Sequence, residues 1–393
     1  MSLPLVALFL AAFAFGTAEF VIAGILPDVA SGLGVTIPIA GYLISGYAIG
    51  IAVGGPLLAV ATKKLQRKNL ILILGGTFIF GQLLCALAPN FAFLMAARVL
   101  VSVVHGTYFG IAAIVAVSIV PPEKRGFAVA LILSGLTVSN ILGVPAGTAI
   151  GNALGWRATF WAVGAVGLIA TLAVAVFLPS RAGATATTGS FLREFKSLGR
   201  QQIVTSLFIV ILVMIGQYSL FTYIAPLLIE VTRIDPSVVP WVLLLYGVGS
   251  TIGVFIGGRL ADWNLMPSLI AILSAQVVAF TLLYLISPYP VVMAVTVFFW
   301  GGVNFAFGSP VQSRVLAWAG DAPNLASTLI PTGFNIGIAI GALLGSSLLD
   351  QGFGYRNLPL IGTVVLIMAV LVAILSHWLE RRSGIALPTQ ATR

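Results

Sequence analysis

Apolar runs of about 20 residues, the length that a transmembrane helix needs, follow one another along the whole chain. Hydrophobic residues make up 60% of the 393 residues and charged residues only 7%, against roughly 25% charged residues in a soluble domain. Breaks at proline, asparagine, Gly-Asp and charged clusters divide the sequence into about twelve such runs. A soluble fold is therefore excluded, and we predict an all-α membrane protein with about twelve transmembrane helices.

Lysine and arginine are concentrated in alternate loops between these runs. Because cytoplasmic loops carry the excess of these residues, the pattern predicts a multi-pass protein of the cell inner membrane with both termini cytoplasmic. In that orientation only Arg157, Arg233 and Arg356 lie in outer loops. The cytoplasmic segments hold fourteen cations: Lys63, Lys64, Arg67, Lys68, Lys124, Arg125, Arg181, Arg193, Lys196, Arg200, Arg259, Arg381, Arg382 and Arg393. The formal charge of +9 is thus a topology signal, and no nucleic acid is expected as a partner.

A polar stretch in the middle of the chain separates two halves of similar length. It predicts a cytoplasmic linker (179–202) between an N-terminal six-helix bundle (1–178) and a C-terminal six-helix bundle (203–378), followed by a cytoplasmic tail (379–393). A shift of 199 positions (249 − 50) brings features of the two halves into register, as an internal repeat would. The coinciding positions are Gly50 and Gly249, Gly54 and Gly253, Pro27 and Pro226, and Gly155-Trp156-Arg157 and Gly354-Tyr355-Arg356. We therefore predict two pseudo-symmetric bundles.

Glycines recur every four residues in the second and fifth predicted spans of each half. This spacing places them on one helix face, where the missing side chains let another helix approach closely. The sets are Gly46, Gly50 and Gly54; Gly143, Gly147 and Gly151; Gly249, Gly253 and Gly257; and Gly337, Gly341 and Gly345. We interpret these faces as the seam along which the two halves move, with tight packing inside one half as the alternative.

Three ionisable residues lie well inside predicted spans, where each is costly and hence a functional candidate. Glu19 in the first span and Arg98 in the fourth lie at matching depth, which predicts an ion pair between them. Glu19 is then either a proton carrier or a fixed structural partner of Arg98. His105 follows Arg98 by seven residues, on nearly the same helix face, and is a candidate for binding substrate or a proton, or a packing residue.

Uncharged polar residues inside other spans are candidates for a substrate cavity, although each alone is as well explained by an interhelical hydrogen bond. The cavity candidates besides His105 are Asn140, Tyr218, Tyr223, Asn304 and Asn335. Arg314, near the cytoplasmic end of the tenth span, is expected to extend its guanidinium towards the membrane surface.

No pattern in the sequence indicates an enzyme. The single cysteine, Cys85, lies in an apolar run, so no thiol cluster of metal-binding spacing exists. No nucleophile with a base and an orienting group, and no phosphate-cradling loop, is recognisable. We expect no catalytic site, no metal and no cofactor.

Several motifs carry a family resemblance. Gly258-Arg259-Leu260-Ala261-Asp262 is similar to the G-R-L-A-D loop signature of the major facilitator superfamily. Gly143-Val144-Pro145-Ala146-Gly147 is similar to the G-x-P-x-G antiporter motif, which accompanies efflux in that superfamily. Arg98 matches the arginine of the span-four motif, and GTAEFVIAGILPDVA looks like the first helix of the sub-branch with chloramphenicol-resistance, sugar-efflux and purine-efflux proteins. Over nearly its full length the chain resembles the twelve-span drug:proton antiporters.

The resemblance implies roles for particular residues. By it, Glu19 is the membrane-embedded acid and Arg98 its partner, while Gly143, Pro145 and Gly147 take part in conformational gating. Arg259 and Asp262 are also implied in gating. The matching first-half loop departs from the signature, because Lys63 stands where the acidic residue would be, so that charge contact falls to Asp262.

Together these features predict proton-coupled efflux of small organic molecules by alternating access, with a central cavity between the two bundles and antibiotic resistance as a consequence. The expected partners are a small-molecule substrate, protons and the lipid bilayer, with the chain acting as a monomer. A proton-linked importer or facilitator of a sugar or nucleoside-like solute is the alternative on the same fold. A membrane receptor or assembly protein is the alternative from another class, although it would need neither the repeat nor a buried Glu19 and Arg98.

Overall fold

The computed structural model describes residues 2–180, 182–183, 200–319 and 323–382, and all regular structure in these ranges is helical. Twelve helices in the described part of the chain are long and apolar enough to cross a membrane, which confirms the predicted all-α class. We number them α1 to α12: Leu3–Ala23, Ile37–Ala61, Arg67–Ala86, Phe91–Ser118, Pro122–Leu154, Trp156–Phe177, Gln201–Phe221, Pro236–Trp263, Leu265–Ile286, Pro290–Ala319, Leu329–Asp350 and Tyr355–Arg382.

The chain divides into two compact units. The first contains α1 to α6 together with Ile224–Ile229 and Ile234–Gly247, and the second contains α7, Glu230–Arg233 and the chain from Val248 onward. The predicted linker (179–202) lies mostly outside the described residues, so the predicted domain limits stay a prediction.

Capping side chains set the start of two membrane helices. The Thr36 hydroxyl oxygen accepts a hydrogen bond from the Ile39 N–H at 3.4 Å, just before α2 begins. The Asn90 side-chain oxygen accepts from the Phe93 N–H at 2.9 Å, just before α4 begins. Each cap satisfies one of the backbone donors that a helix start leaves without an intrahelical partner.

Prolines inside two spans coincide with a widened helical turn. Gly50–Gly54 in α2 is a π-helical turn, and Pro56 follows it directly in the next helical segment. Ser139–Gly143 in α5 is also π-helical and is followed by Pro145. Proline has no N–H, and its ring collides with the carbonyl four residues earlier, so a wider turn lets the helix continue past it.

The glycine face of α5 packs on α1. A Cβ atom added at Gly147 would lie 2.6 Å from Cγ2 of Val21, and one added at Gly151 would lie 2.7 Å from Cγ2 of Ile25, just after α1 ends. One added at Gly143 would collide with the Thr17 hydroxyl. The two helices therefore approach so closely that no side chain fits between them.

The other three glycine faces also pack on helices of their own half. In α2, the neighbours of Gly50 and Gly54 are Ser102 and Val103 of α4. The Gly249, Gly253 and Gly257 face meets α10, and the Gly337, Gly341 and Gly345 face meets α7 and Tyr223 directly after it. The interpretation of these glycines as a seam between the halves is therefore wrong. A four-residue spacing allows close approach of a helix, but it does not specify which helix approaches.

We expect Gly147→Leu to destabilise the first unit by about 1–3 kcal/mol, because the new side chain has to displace Val21 and Thr159 in a packed interface. The measurement is the midpoint of thermal unfolding in detergent. Gly76→Leu on α3 is the matched control, since a Cβ atom added at Gly76 meets nothing within 4 Å. Equal midpoints for the two variants would show that the contact between α1 and α5 accommodates a leucine side chain without loss of stability.

Candidate functional site

Four polar side chains from three helices meet inside the first unit. Glu19 comes from α1, Tyr47 from α2, and Arg98 and His105 from α4. We call these four residues the polar cluster. Two turns of α4 separate Arg98 from His105, so both point from the same face of that helix. The cluster is thus fixed by helix packing and not by loops.

Glu19 lies against His105. Its Oε2 atom is 3.7 Å from Nε2 of His105, and the side chains are only 12% and 5% exposed, respectively. The other ring nitrogen of His105, Nδ1, is 3.0 Å from the Tyr47 hydroxyl. One imidazole therefore connects the carboxyl group of α1 with the phenol of α2.

Arg98 joins α4 to the backbone of two neighbouring helices. Its Nη1 donates to the Ala18 carbonyl at 3.2 Å, and its Nε donates to the Leu43 carbonyl at 3.4 Å. The guanidinium carbon also lies 4.6 Å from the centre of the Tyr47 ring, within the range of a cation–π interaction. Its Nη2 is buried and has no hydrogen-bond partner among the described residues.

The predicted direct ion pair between Glu19 and Arg98 is absent. Within the described chain the only charged-group contact of Glu19 below 4.0 Å is with His105. The guanidinium instead donates to backbone carbonyls of α1 and α2, from Nη1 to Ala18 and from Nε to Leu43. Both residues nevertheless belong to the same polar cluster, so sequence reasoning found the right side chains and assigned the wrong contact.

Aromatic side chains surround His105. The ring centres of Phe15 and Phe109 lie 5.3 Å and 5.2 Å from that of the imidazole. Phe15 also stacks on Tyr108 at 4.6 Å, and the Tyr108 hydroxyl donates to the Leu8 carbonyl at 2.8 Å. These rings keep water away from the polar cluster, which strengthens every charge interaction within it.

The predicted cavity residues fall into two groups, one in each unit. In the first unit, Asn140 is buried and donates to the Leu136 carbonyl of its own helix at 3.0 Å. In the second, Asn335 likewise donates to the Pro331 carbonyl at 3.0 Å, and Tyr223 donates to the Ala342 carbonyl at 3.1 Å.

Two further cavity candidates lie in the second unit. Asn304 is buried, and the Tyr218 ring packs 5.5 Å from that of Phe221. Nearby, Nε1 of Trp300 donates to the Gln217 side-chain oxygen at 2.5 Å, so that oxygen already has a hydrogen-bond partner.

The gating candidates Arg259 and Asp262 lie near the end of α8 in the second unit. Both residues are exposed. Neither makes an ion pair with another residue that the structure describes. Their predicted role in gating stays a prediction.

The structure places a second buried arginine where the sequence predicted an exposed one. Arg314 of α10 is fully buried, and its Nη2 donates to Oε1 of Glu380 in α12 at 2.6 Å. It also donates to the Ser206 hydroxyl at 3.0 Å and to the Ser376 hydroxyl at 2.6 Å. The expectation that Arg314 extends to the membrane surface is wrong, because its partner Glu380 lies just beyond the predicted C-terminal bundle (203–378) and was not recognised from the sequence.

A small cavity of about 200 Å³ lies where the short helix Leu26–Leu33 follows α1. Asp28 and Asn152 line it, and Asn152 donates to the Pro236 carbonyl at 2.8 Å within the same unit. Partial burial raises the pKa of the Asp28 carboxyl group above its usual value. The cavity lies beside the ends of α1, α5 and α8 and is too small for a drug-sized ligand.

Comparisons with known proteins agree on one family. Residues 8–317 match the sequence profile of the Major Facilitator Superfamily. The chain is 37% identical to "Inner membrane transport protein YdhP" of Escherichia coli (strain K12) over 373 residues, which cover 95% of each protein. It is 36% identical to "Chloramphenicol resistance protein" of Streptomyces lividans over 376 residues, which cover 95% of this chain and 96% of that protein. It is 31% identical to "Probable sugar efflux transporter" of Helicobacter pylori over 348 residues, 88% of each.

Solved structures share the fold at lower sequence identity. A bacterial homologue of the human lysosomal transporter Spinster, in an inward-facing and unoccupied conformation, matches with a TM-score of 0.77 at 17% identity and covers 95% of this chain and 96% of its own. The nucleoside transporter NupG matches with a TM-score of 0.75 at 12% identity and covers 94% and 99%. At these identities the matches establish the fold alone.

We expect Arg314→Ala to destabilise the second unit by about 3–5 kcal/mol, because it leaves the Glu380 carboxylate buried without the guanidinium. The double variant Arg314→Met with Glu380→Leu should recover most of that loss, since no charge remains to be solvated. The measurement is the unfolding midpoint in detergent, with Arg259→Ala, an exposed arginine of the same unit, as the control. A double variant as unstable as Arg314→Ala would contradict the ion-pair account.

Proposed function

The chain belongs to the Major Facilitator Superfamily, in the branch with chloramphenicol-resistance and sugar-efflux proteins, and we propose that this inner-membrane transporter exports small organic molecules in exchange for protons. The observation that carries the proposal is Glu19, a carboxyl group inside α1 whose Oε2 atom lies 3.7 Å from Nε2 of His105. In this proposal Glu19 carries the proton, and Arg98 and His105 set the balance between its two charge states.

The chemistry of a carboxyl group inside a membrane suits this role. Burial in a low dielectric disfavours the ionised form, whereas a neighbouring cation or hydrogen-bond donor favours it. Glu19 experiences both influences, because it is largely shielded from water and lies in one cluster with His105 and Arg98. A change in water access during transport would then decide whether the proton is bound or released.

The helix contacts of the polar cluster supply a path from protonation to movement. Arg98 binds the backbones of α1 and α2, and α1 in turn packs against the glycine face of α5. A new charge state at Glu19 alters the interactions that hold α1 in place, and so biases one conformation over another. Gly143, Pro145 and Gly147 act in gating through this α1–α5 contact.

The names of the relatives favour export over import. One is named for chloramphenicol resistance and another for sugar efflux, so we propose small, largely neutral molecules as substrates and antibiotic resistance as an outcome. His105 and Asn140 of the first unit, and Tyr218, Tyr223, Asn304 and Asn335 of the second, are the proposed substrate contacts. Arg259 and Asp262 are proposed to take part in conformational gating. We also propose that both termini lie in the cytoplasm and that the chain acts as a monomer.

We expect Glu19→Gln to abolish efflux driven by a pH gradient while substrate binding persists, because an amide mimics the protonated acid and cannot release a proton. A screen of cells for accumulation of phenicols, sugars, nucleosides and dyes first selects the substrate. Efflux is then measured in vesicles with an imposed pH gradient, alongside binding to the purified protein.

Asp28→Asn is the matched control, because it removes a carboxyl group that lies on the same chain segment but outside the membrane spans. It should leave gradient-driven efflux intact. Full gradient-driven efflux by Glu19→Gln would rule out Glu19 as the proton carrier, and accumulation instead of efflux would favour an importer.

A further inference from the structure

We propose that Tyr47 is a positioning residue that fixes the tautomer of His105, so that the imidazole presents its Nε2–H to Glu19. The effect on transport rests on the proposed proton-carrier role of Glu19. The tautomer itself is a property of the folded protein and is testable without transport.

The argument begins with the Tyr47 hydroxyl, which is buried and lies 3.0 Å from Nδ1 of His105. Among the described residues it makes no other hydrogen bond. A neutral imidazole has one nitrogen that donates and one that accepts. If Nδ1 carried the hydrogen, it would donate to the phenol oxygen, and the phenol hydrogen would be left buried without an acceptor. Buried polar hydrogens are rarely left in that state, so Tyr47 donates to Nδ1 and the ring hydrogen is on Nε2.

The position of the ring then directs that hydrogen towards Glu19. Phe15 and Phe109 flank the imidazole, so the ring keeps Nδ1 towards α2 and Nε2 towards α1. The 3.7 Å between Nε2 and Oε2 of Glu19 exceeds a hydrogen bond, and the contact is therefore a charge–dipole interaction. A donor facing the carboxyl group favours its ionised form.

Of the groups around His105, Tyr47 is the one that fixes the position of the ring hydrogen. The titratable or charged groups that neighbour members of the polar cluster are Arg98 and Tyr108 on α4, Tyr47 on α2, and Cys85 on α3. Tyr108 donates to a backbone carbonyl, and Arg98 is bound to two others. Within the described cluster only Tyr47 has a hydrogen-bonding contact with Nδ1.

Removing the hydroxyl should free the tautomer. In Tyr47→Phe neither nitrogen has a fixed partner, so the ring hydrogen can move to Nδ1 and the bare Nε2 can accept from a protonated Glu19. Each neutral tautomer carries one N–H hydrogen, on Nδ1 or on Nε2, so conversion of one tautomer into the other does not change the charge of the ring. Glu19 should accordingly stay protonated up to a higher pH in this variant than in the parent.

The test uses the low histidine content of the chain, which has only two histidines. In a His377→Gln background His105 is the single histidine, and nitrogen-15 chemical shifts of labelled imidazole distinguish a protonated Nε2 from a protonated Nδ1. We expect a protonated Nε2 in this parent, and a mixed or inverted pattern after Tyr47→Phe. Tyr42→Phe, on the same helix but outside the polar cluster, should keep the pattern of the parent.

A protonated Nδ1 in the parent, or a spectrum unchanged by Tyr47→Phe, would overturn the inference. If Tyr47→Phe fails to fold, the parent spectrum still decides between the two tautomers. Infrared titration of the Glu19 carboxyl band, identified as the band that Glu19→Gln removes, tests the effect on protonation. Because neither readout involves transport, normal efflux by Glu19→Gln would refute the proposed function and leave the tautomer assignment standing.

Discussion

A guanidinium removed from water has to find acceptors inside the protein, and this requirement organises the first unit around Arg98. Its acceptors are carbonyls of α1 and α2. One of them, from Ala18, is among the last four carbonyls in the α-helical part of α1, where intrahelical partners are commonly missing. A single charge on α4 thus satisfies the backbone of one neighbour and binds a second, within the same polar cluster as Glu19 and His105.

The second unit also buries a guanidinium but supplies it with different acceptors. Arg314 meets a carboxylate, Glu380, and two serine hydroxyls, so its charge is neutralised by a partner of opposite sign. Arg98 has no carboxylate within 4.0 Å among the described residues. The difference separates a structural ion pair from a cluster whose net charge depends on the protonation of Glu19. Ionisable groups perturbed by burial and by nearby charges are candidates for functional sites.

Sequence alone predicted the parts of this protein that follow from the bilayer itself. The span count is correct because each crossing requires an apolar run of fixed minimum length, and Glu19, Arg98 and His105 stood out because charge is rare inside such runs. Contacts between helices were not predictable in the same way. The glycine spacing predicted that another helix approaches closely, but not which helix it is. Glu380 was missed because α12 extends about one turn beyond its predicted end. The predicted direct pairing of Glu19 with Arg98 was wrong. The guanidinium donates to backbone carbonyls instead, and no sequence pattern marks such acceptors.

The close contact of α1 and α5 also restricts how the sequence can drift. Two facing pairs are Val21 with Gly147, and Ile25 with Gly151. Neither leaves room for a larger residue on α5 unless the facing residue becomes smaller. Substitutions at these positions should therefore appear together across related sequences, as covarying pairs. The helix that carries the membrane acid evolves jointly with its neighbour, so grafting α1 alone from a relative would import half of an interface.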